Sequence, residues 1–183
     1  MTNFTLDNIK KRYSCRAFTD EMPTDEQLMA AARAAIQSPS AVNRQAWRIV
    51  IVKNRALIDE MEAEGMKALG AMPDRAGYDR IMGRGGKLFY NSPCMIMVPA
   101  LPNTDIDNGI VCQNIALAAE SMGMNSLICG LAGLAFSGDK AAYFKQKLGF
   151  PEGYEFGIAV LLGFSAGETA PHEPDESKIS IVE

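Results

Sequence analysis

Four short stretches of the chain carry side chains able to hold a ligand. The first is Arg12-Tyr13-Ser14-Cys15-Arg16. At a helix end or in an extended turn, Arg12, Ser14 and Arg16 can converge on one anion. Two guanidinium forks and a hydroxyl suit a phosphate monoester. With Lys10 and Lys11 the same residues also suit a solvated basic patch. The second runs from Ser38 to Trp47 and holds Pro39, Ser40, Asn43 and Gln45. It reads as a loop between a helix and a strand, dense in hydrogen-bonding side chains, and such loops often carry function. It also reads as a turn whose Ser and Asn satisfy their own backbone. Trp47 is core either way. The third is Gln113-Asn114 in an otherwise apolar helix. Buried amides need partners, so they bond a ligand or tie helix to loop. The fourth is Leu127-Ile-Cys129-Gly130-Leu-Ala-Gly133. Small residues after a strand allow backbone to approach a flat ligand, or simply end the strand.

Other chemistries are poorly supplied. The single histidine, His172, sits in a polar tail and reads as a solvated loop residue. With it, the four scattered cysteines give neither zinc-ligand spacing nor a Ser-His-Asp or Cys-His set. No G-x-G-x-x-G follows a strand, and no P-loop is present.

The elements that position these residues follow from periodicity and capping. A short helix is expected from Leu6 to about Arg12, with Leu6 and Ile9 inward. Thr24 and Gln27 form a capping box. Leu28, Ala31, Ala32, Ala35 and Ile36 then make an apolar stripe, and Ser38-Pro39 ends the helix. Trp47 to Val52 reads WRIVIV, a strand. Asn54 caps a helix with Leu57, Ile58, Met61 and Leu69 on its buried side. Ala71 to Lys87, rich in glycine and mixed charge, reads as a loop or mobile helix. Cys94 to Val98 is a buried strand. Asp105 to Met122 is the longest helix, with Ile106, Ile110, Leu117, Ala118 and Met122 inward and Gly123 as its C′ residue. Leu127 to Cys129 is a short strand. Asp139 to Leu148 is a helix closed by Gly149, and Phe156 to Leu162 is a long apolar strand. The tail from Ser165 is polar until Ile179 to Val182.

The chain has 183 residues, 48% of them hydrophobic, 22% charged, with a net charge of -4. That length suits one domain, residues 1–183, burying roughly 70% of its unfolded surface. A weakly acidic chain has no general field for nucleic acid or anionic lipid, so an anionic ligand needs a local basic cluster. There is no secretory apolar core of about 7–15 residues and no apolar run near the ~20 residues of a membrane span. None of the cysteines forms C-x-x-C, which favours reduced thiols in the cytoplasm. Strands alternate irregularly with helices, which allows an α+β or an α/β domain.

The order of the motifs is more specific than any one of them. R-x-S-x-R near the N-terminus, S-P-S-A-x-N-x-Q-x-W before a strand, then a Q-N-x-x-L-A-A-E helix ending in glycine together resemble the nitroreductase family of flavoproteins. The resemblance spans nearly the whole chain, and the SPSAVNRQAW block is its most specific part. It implies an α+β fold, a mixed sheet flanked by helices, in an intertwined homodimer with shared active sites. It implies FMN as cofactor and NAD(P)H as reductant, with ping-pong transfer to a nitroaromatic, quinone or flavin acceptor. Arg12, Ser14 and Arg16 match the positions that hold the FMN phosphate and ribityl chain. Pro39, Ser40 and Asn43 match the loop that reaches the flavin from the other subunit, with Gln45 supporting it. Cys129 and Gly130 match the strand end lying against the isoalloxazine ring. Gln113 is a further implied contact. Lys178 sits where the family places a basic residue for the phosphate, although Glu173, Asp175 and Glu176 replace the usual basic pairing. The cofactor carries the chemistry in such proteins, so no catalytic acid or nucleophile is expected. A flavin-storage protein, a specialised reductive enzyme of the same fold, and a thiol enzyme using Cys129 are the rival readings.

Overall fold

Side-chain caps set where the first three α-helices begin. The structure, a computed structural model, describes residues 3–167 and 170–183. Asn3 accepts the N–H groups of Thr5 and Leu6 and opens α1 (Phe4–Lys11). The Thr24–Gln27 capping box is formed in both directions, at 3.2 and 2.9 Å, and opens α2 (Asp25–Ile36). A 3-10 turn at Ala41–Asn43 leads to β1 (Val50–Val52). The Asn54 carboxamide caps α3 (Arg55–Gly70), accepting the Leu57 N–H at 3.1 Å. Then come α4 (Ala76–Met82), β2 (Cys94–Ala100), α5 (Asp105–Ser121) and β3 (Asn125–Ile128). A 3-10 segment at Gly130–Phe136, α6 (Ala141–Lys147) and β4 (Glu155–Gly163) complete the body. Gly123 and Gly149 follow α5 and α6 at φ of 76° and 66°, the left-handed conformation that ends a helix cheaply only at glycine.

The architecture is α+β. Four antiparallel strands run in the order β1-β2-β4-β3. Among the described residues the one parallel pairing is an isolated bridge from Ser14 to Ser126 beside β3. β2 is buried along its whole length because both faces of the sheet are covered. Cys94, Ile96 and Val98 pack with Leu28, Val111 and Ile115 of α2 and α5. The alternate residues Met95 and Met97 pack on the other side with Ile58, Met61, Ala132 and Ala135. Burying each such aliphatic side chain contributes about 1.5–3 kcal/mol.

Three expectations need correction. The WRIVIV strand shortens to Val50–Val52. Trp47 still bridges Ala100, and the Arg48 N–H still reaches the Pro99 carbonyl at 2.8 Å. Pro99 has no N–H to return, so the ladder breaks there. Leu6 and Ile9 face out, 59% and 46% exposed. Ile36 and Ile106 do the same, at 51% and 82%. Helical spacing identifies an apolar face but not whether its partner lies in the same chain. Of the two readings of Ala71–Lys87, loop or helix, the structure has the helix α4 within it, whose Ile81 is buried against the core.

Candidate active site

Chain pairing brings the N-terminal arginines to the end of β3. The Cys15 N–H donates to the Ser126 carbonyl at 3.0 Å. This extended stretch alternates: Cys15 is buried while Ser14 and Arg16 turn to the opposite side. Arg12 precedes it as the C-cap of α1, with only its backbone N–H engaged in capping. Phe18 pairs with Ser165, and the Ala166 N–H bonds the Ala17 carbonyl, so the tail starts beside the same stretch.

Arg12, Ser14 and Arg16 line a cavity of about 270 Å³ together with Tyr13, Ala170 and His172. Arg16 also lines a second cavity of about 300 Å³, which it shares with Tyr90, Leu127, Cys129, Gly130 and Leu131. One end is thus cationic and rich in donors, and the other has apolar side chains and a strand end. The Cys129 N–H is spent on the Ala159 carbonyl at 2.8 Å, fixing that strand end to β4. Burial pushes the Cys129 thiol up to about 11, so it stays protonated near neutrality. Cys94 and Cys112 are pushed up to about 12 for the same reason. Near Arg12, burial raises the Glu120 carboxyl, opposed by Lys11 and Arg12.

The loop after α2 behaves differently. Val42, Asn43 and Gln45 have φ of 47°, 55° and 47°, conformations that cost non-glycine residues of order 1–3 kcal/mol each. Local bonds hold them: the Gln45 N–H to Ser40 Oγ at 2.9 Å, and Gln45 Nε2 to Asn43 Oδ1 at 3.0 Å. The Ala41 N–H reaches Asp107 Oδ1 at 3.3 Å, and Asn114 Nδ2 bonds Ser38 Oγ at 2.9 Å. Asn114 is therefore the residue that ties helix to loop. Pro39, Asn43 and Gln45 are exposed, Ser40 is half-buried, and none of the four lines either cavity. Gln113 is exposed on α5 and lines neither cavity. Lys178 is exposed and pairs with Asp175 at 3.7 Å, away from both cavities.

The structure adds residues that pattern alone missed. His172 borders the cationic cavity, although nothing in its polar surroundings in sequence marks it. Arg80, Ile81 and Arg84 of the α4 region border the other. Arg80 lies on α4 and Arg84 in the turn after it, so their spacing in the sequence does not by itself bring them to one cavity. Tyr90 is buried at φ of 52°, a strained state for an aromatic residue and a mark of a constrained site. Among the described residues no group of three or more His, Cys, Asp and Glu could hold a metal ion, and no helix is long and apolar enough to cross a membrane.

Comparison with known proteins decides the family. The sequence model of the Nitroreductase family matches residues 9–164. The chain belongs to the nitroreductase family. It superposes on a nitroreductase with bound FMN from Desulfitobacterium hafniense DCB-2 with a TM-score of 0.97, at 55% identity and 100% coverage of both chains. A nitroreductase with bound FMN from Bacteroides fragilis shares the fold at a TM-score of 0.90 and 24% identity, again covering 100% of both chains. An Archaeoglobus fulgidus protein named "Putative NADH dehydrogenase/NAD(P)H nitroreductase" is 25% identical over 179 residues, 93% of this chain and 91% of that protein. The fold is thus the FMN-binding oxidoreductase fold of this family, and the motif order in the sequence identified the family correctly.

Proposed function

We propose that this nitroreductase-family chain binds FMN, takes reducing equivalents from NAD(P)H, and passes them by a ping-pong mechanism to a nitroaromatic, quinone or flavin acceptor. The observation that carries the reading is the pair of cavities joined at Arg16. The donor set fits the group. Arg12, Arg16 and the Ser14 hydroxyl suit a terminal phosphate monoester. Leu127, Leu131 and Tyr90 suit a flat aromatic ring beside Cys129 and Gly130. The bound flavin supplies the hydride chemistry, and the protein positions it. His172 is the tail residue we assign to the phosphate end, in place of Lys178. The protonated, buried Cys129 packs against the ring and does not act as a nucleophile. The names of the D. hafniense and A. fulgidus relatives support FMN and NAD(P)H respectively.

The proposal includes a homodimer with shared sites, the whole chain 1–183 acting as one flavin-binding domain. Phe4, Leu6 and Ile9 leave α1 with an apolar face outward, and Val42 is 90% exposed at the tip of the strained loop. Ile179, Ile181 and Val182 of the tail are 75–95% exposed. Apolar surface on this scale suits a second copy. Since Pro39, Ser40, Asn43 and Gln45 stay clear of their own chain's cavities, we place them, with Gln113, at the partner's site or its border. Four unpaired cysteines fit a reducing cytoplasm.

The test is anaerobic mixing of the purified yellow protein with NADH or NADPH, followed by a nitroaromatic or quinone. The expected result is bleaching by the reductant and recovery of colour with the acceptor. A protein that stays yellow with both nucleotides is a storage protein, and the oxidoreductase assignment fails.

A further inference from the structure

The cavity beside Cys129 and Gly130 has a feature that holding a flavin does not require. Arg80, on α4, and Arg84, in the turn just after its C-cap Gly83, border it. Both are exposed, and among the described residues neither side chain makes a hydrogen bond or ion pair. The neighbouring cations are engaged. Arg75 lies over the Tyr78 ring at 4.2 Å and bonds the Gly70 carbonyl, and Lys87 faces the buried Glu62 carboxylate at 3.5 Å. Glu62 in turn accepts the Phe89 N–H at 2.7 Å, so it is turned into the protein. Asp79 adjoins Arg80 in sequence, but neither it nor any other carboxylate lines the cavity. The rest of the lining is Arg16 and a largely apolar set that includes Ile81, Leu88, Leu127 and Leu131. In a chain of net charge -4, two arginines without side-chain partners at a largely apolar cavity make a local positive patch.

We infer that Arg80 and Arg84 select an electron acceptor that carries an anionic group, an aromatic carboxylate being the simplest class. The inference rests on the flavin reading of this cavity. With Leu127 and Leu131 against the flavin, the flat ring of the acceptor packs on the flavin's exposed face at the mouth of the same cavity. The paired guanidiniums take its carboxylate at the rim, where planar, bidentate recognition favours arginine over lysine. NAD(P)H also carries phosphates, so the shared chemistry is an anion, and the experiment separates its two sources.

The test compares the wild-type holoprotein with the Arg80→Gln/Arg84→Gln double variant. Glutamine keeps much of the packing stem and removes the charge. The first readout is calorimetric binding of benzoate, a carboxylate the flavin does not reduce. The second is the ratio of kcat/KM for 4-nitrobenzoate to that for its neutral methyl ester, with KM for NADH and NADPH measured alongside. Exposed charge pairs contribute little individually, whereas a bidentate, charge-assisted pair contributes more. The expected result is benzoate binding to the wild type, weakened about tenfold in the double variant, with the acid-to-ester ratio falling by a similar factor. FMN content measured by absorbance stays level. An unchanged acid-to-ester ratio overturns the proposal. A rise confined to the nucleotide KM assigns the arginines to the reductant's phosphates and overturns it too. Loss of FMN from the variant makes them cofactor ligands and likewise overturns it. If the wild type itself carries no flavin, the underlying reading fails, and benzoate calorimetry on the protein as purified still decides the anion site: binding weakened in the variant supports it, and equal or absent binding overturns it.

Discussion

Removing one guanidinium at a time tests the phosphate end of the site. Arg12 is half-buried and Arg16 exposed, and both border the cavity with Ser14 and His172. A hydrogen bond to a charged group contributes roughly 1.5–3 kcal/mol, and each ~1.4 kcal/mol is a tenfold change in Kd. Arg12→Ala should therefore weaken FMN binding about tenfold to a hundredfold. Arg16 is more open to solvent, which screens its pairing to about 0.2–1 kcal/mol, or up to roughly fivefold. The fold should survive, because neither side chain belongs to the buried core. The assay is titration of deflavinated protein with FMN, followed by quenching of flavin fluorescence. Riboflavin, which lacks the phosphate, is the control. Both variants should bind it as the wild type does, within about twofold, the spread left by indirect structural effects. Unchanged FMN affinity in both variants, or equal loss of FMN and riboflavin, would refute the phosphate assignment.

Three further outcomes follow from the same geometry. Cys129 is buried with its thiol pushed up to about 11, so the native protein should resist iodoacetamide at pH 8, and Cys129→Ser should keep most activity; abolished activity would restore the thiol mechanism. A Cβ at Gly157 would meet the Val98 carbonyl at 2.7 Å and Asn108 Nδ2 at 2.9 Å beside the irregularity in β2, so Gly157→Ala should cost about 1–3 kcal/mol in urea unfolding. The Glu60 carboxyl is lowered by its hydrogen bond from Lys140, and Lys140 is raised by its bonds to Glu60 and Glu64. The Glu60 part is present above the ordinary carboxyl value of 4.5 and is lost as pH falls through the lowered folded value. The Lys140 part is present below 10.5 and is lost as pH rises through the raised folded value. The stability gap between wild type and Lys140→Met should thus be flat between these limits and narrow beyond them; a peak near pH 7 would contradict the pairing.

What the sequence revealed depended on the range of each signal. The Thr24–Gln27 box, the Asn54 cap and the closing glycines at 123 and 149 are local, and all formed as read. Arg12, Ser14 and Arg16 line one cavity, and Cys129 and Gly130 line a second that shares Arg16 with it. What was hidden depends on long-range placement. The loss of the first half of WRIVIV follows from a proline on the facing strand, about fifty residues away. The outward faces of α1 and of Ile106 on α5 depend on what covers them. His172 and the Arg80–Arg84 pair reach the site through the course of the tail and through a helix inside a glycine-rich stretch.

Every functional step proposed above depends on FMN occupying this cavity pair. Its presence is measured by the absorption spectrum of the purified protein, followed by heat release of the ligand and chromatography against FMN, FAD and riboflavin standards. The expected outcome is a yellow protein that releases FMN at about one per chain, the number required by one cavity pair per chain in the proposed two-fold dimer. Release of FAD, or a colourless protein that fails to take up added FMN, would show that the cavities hold something else.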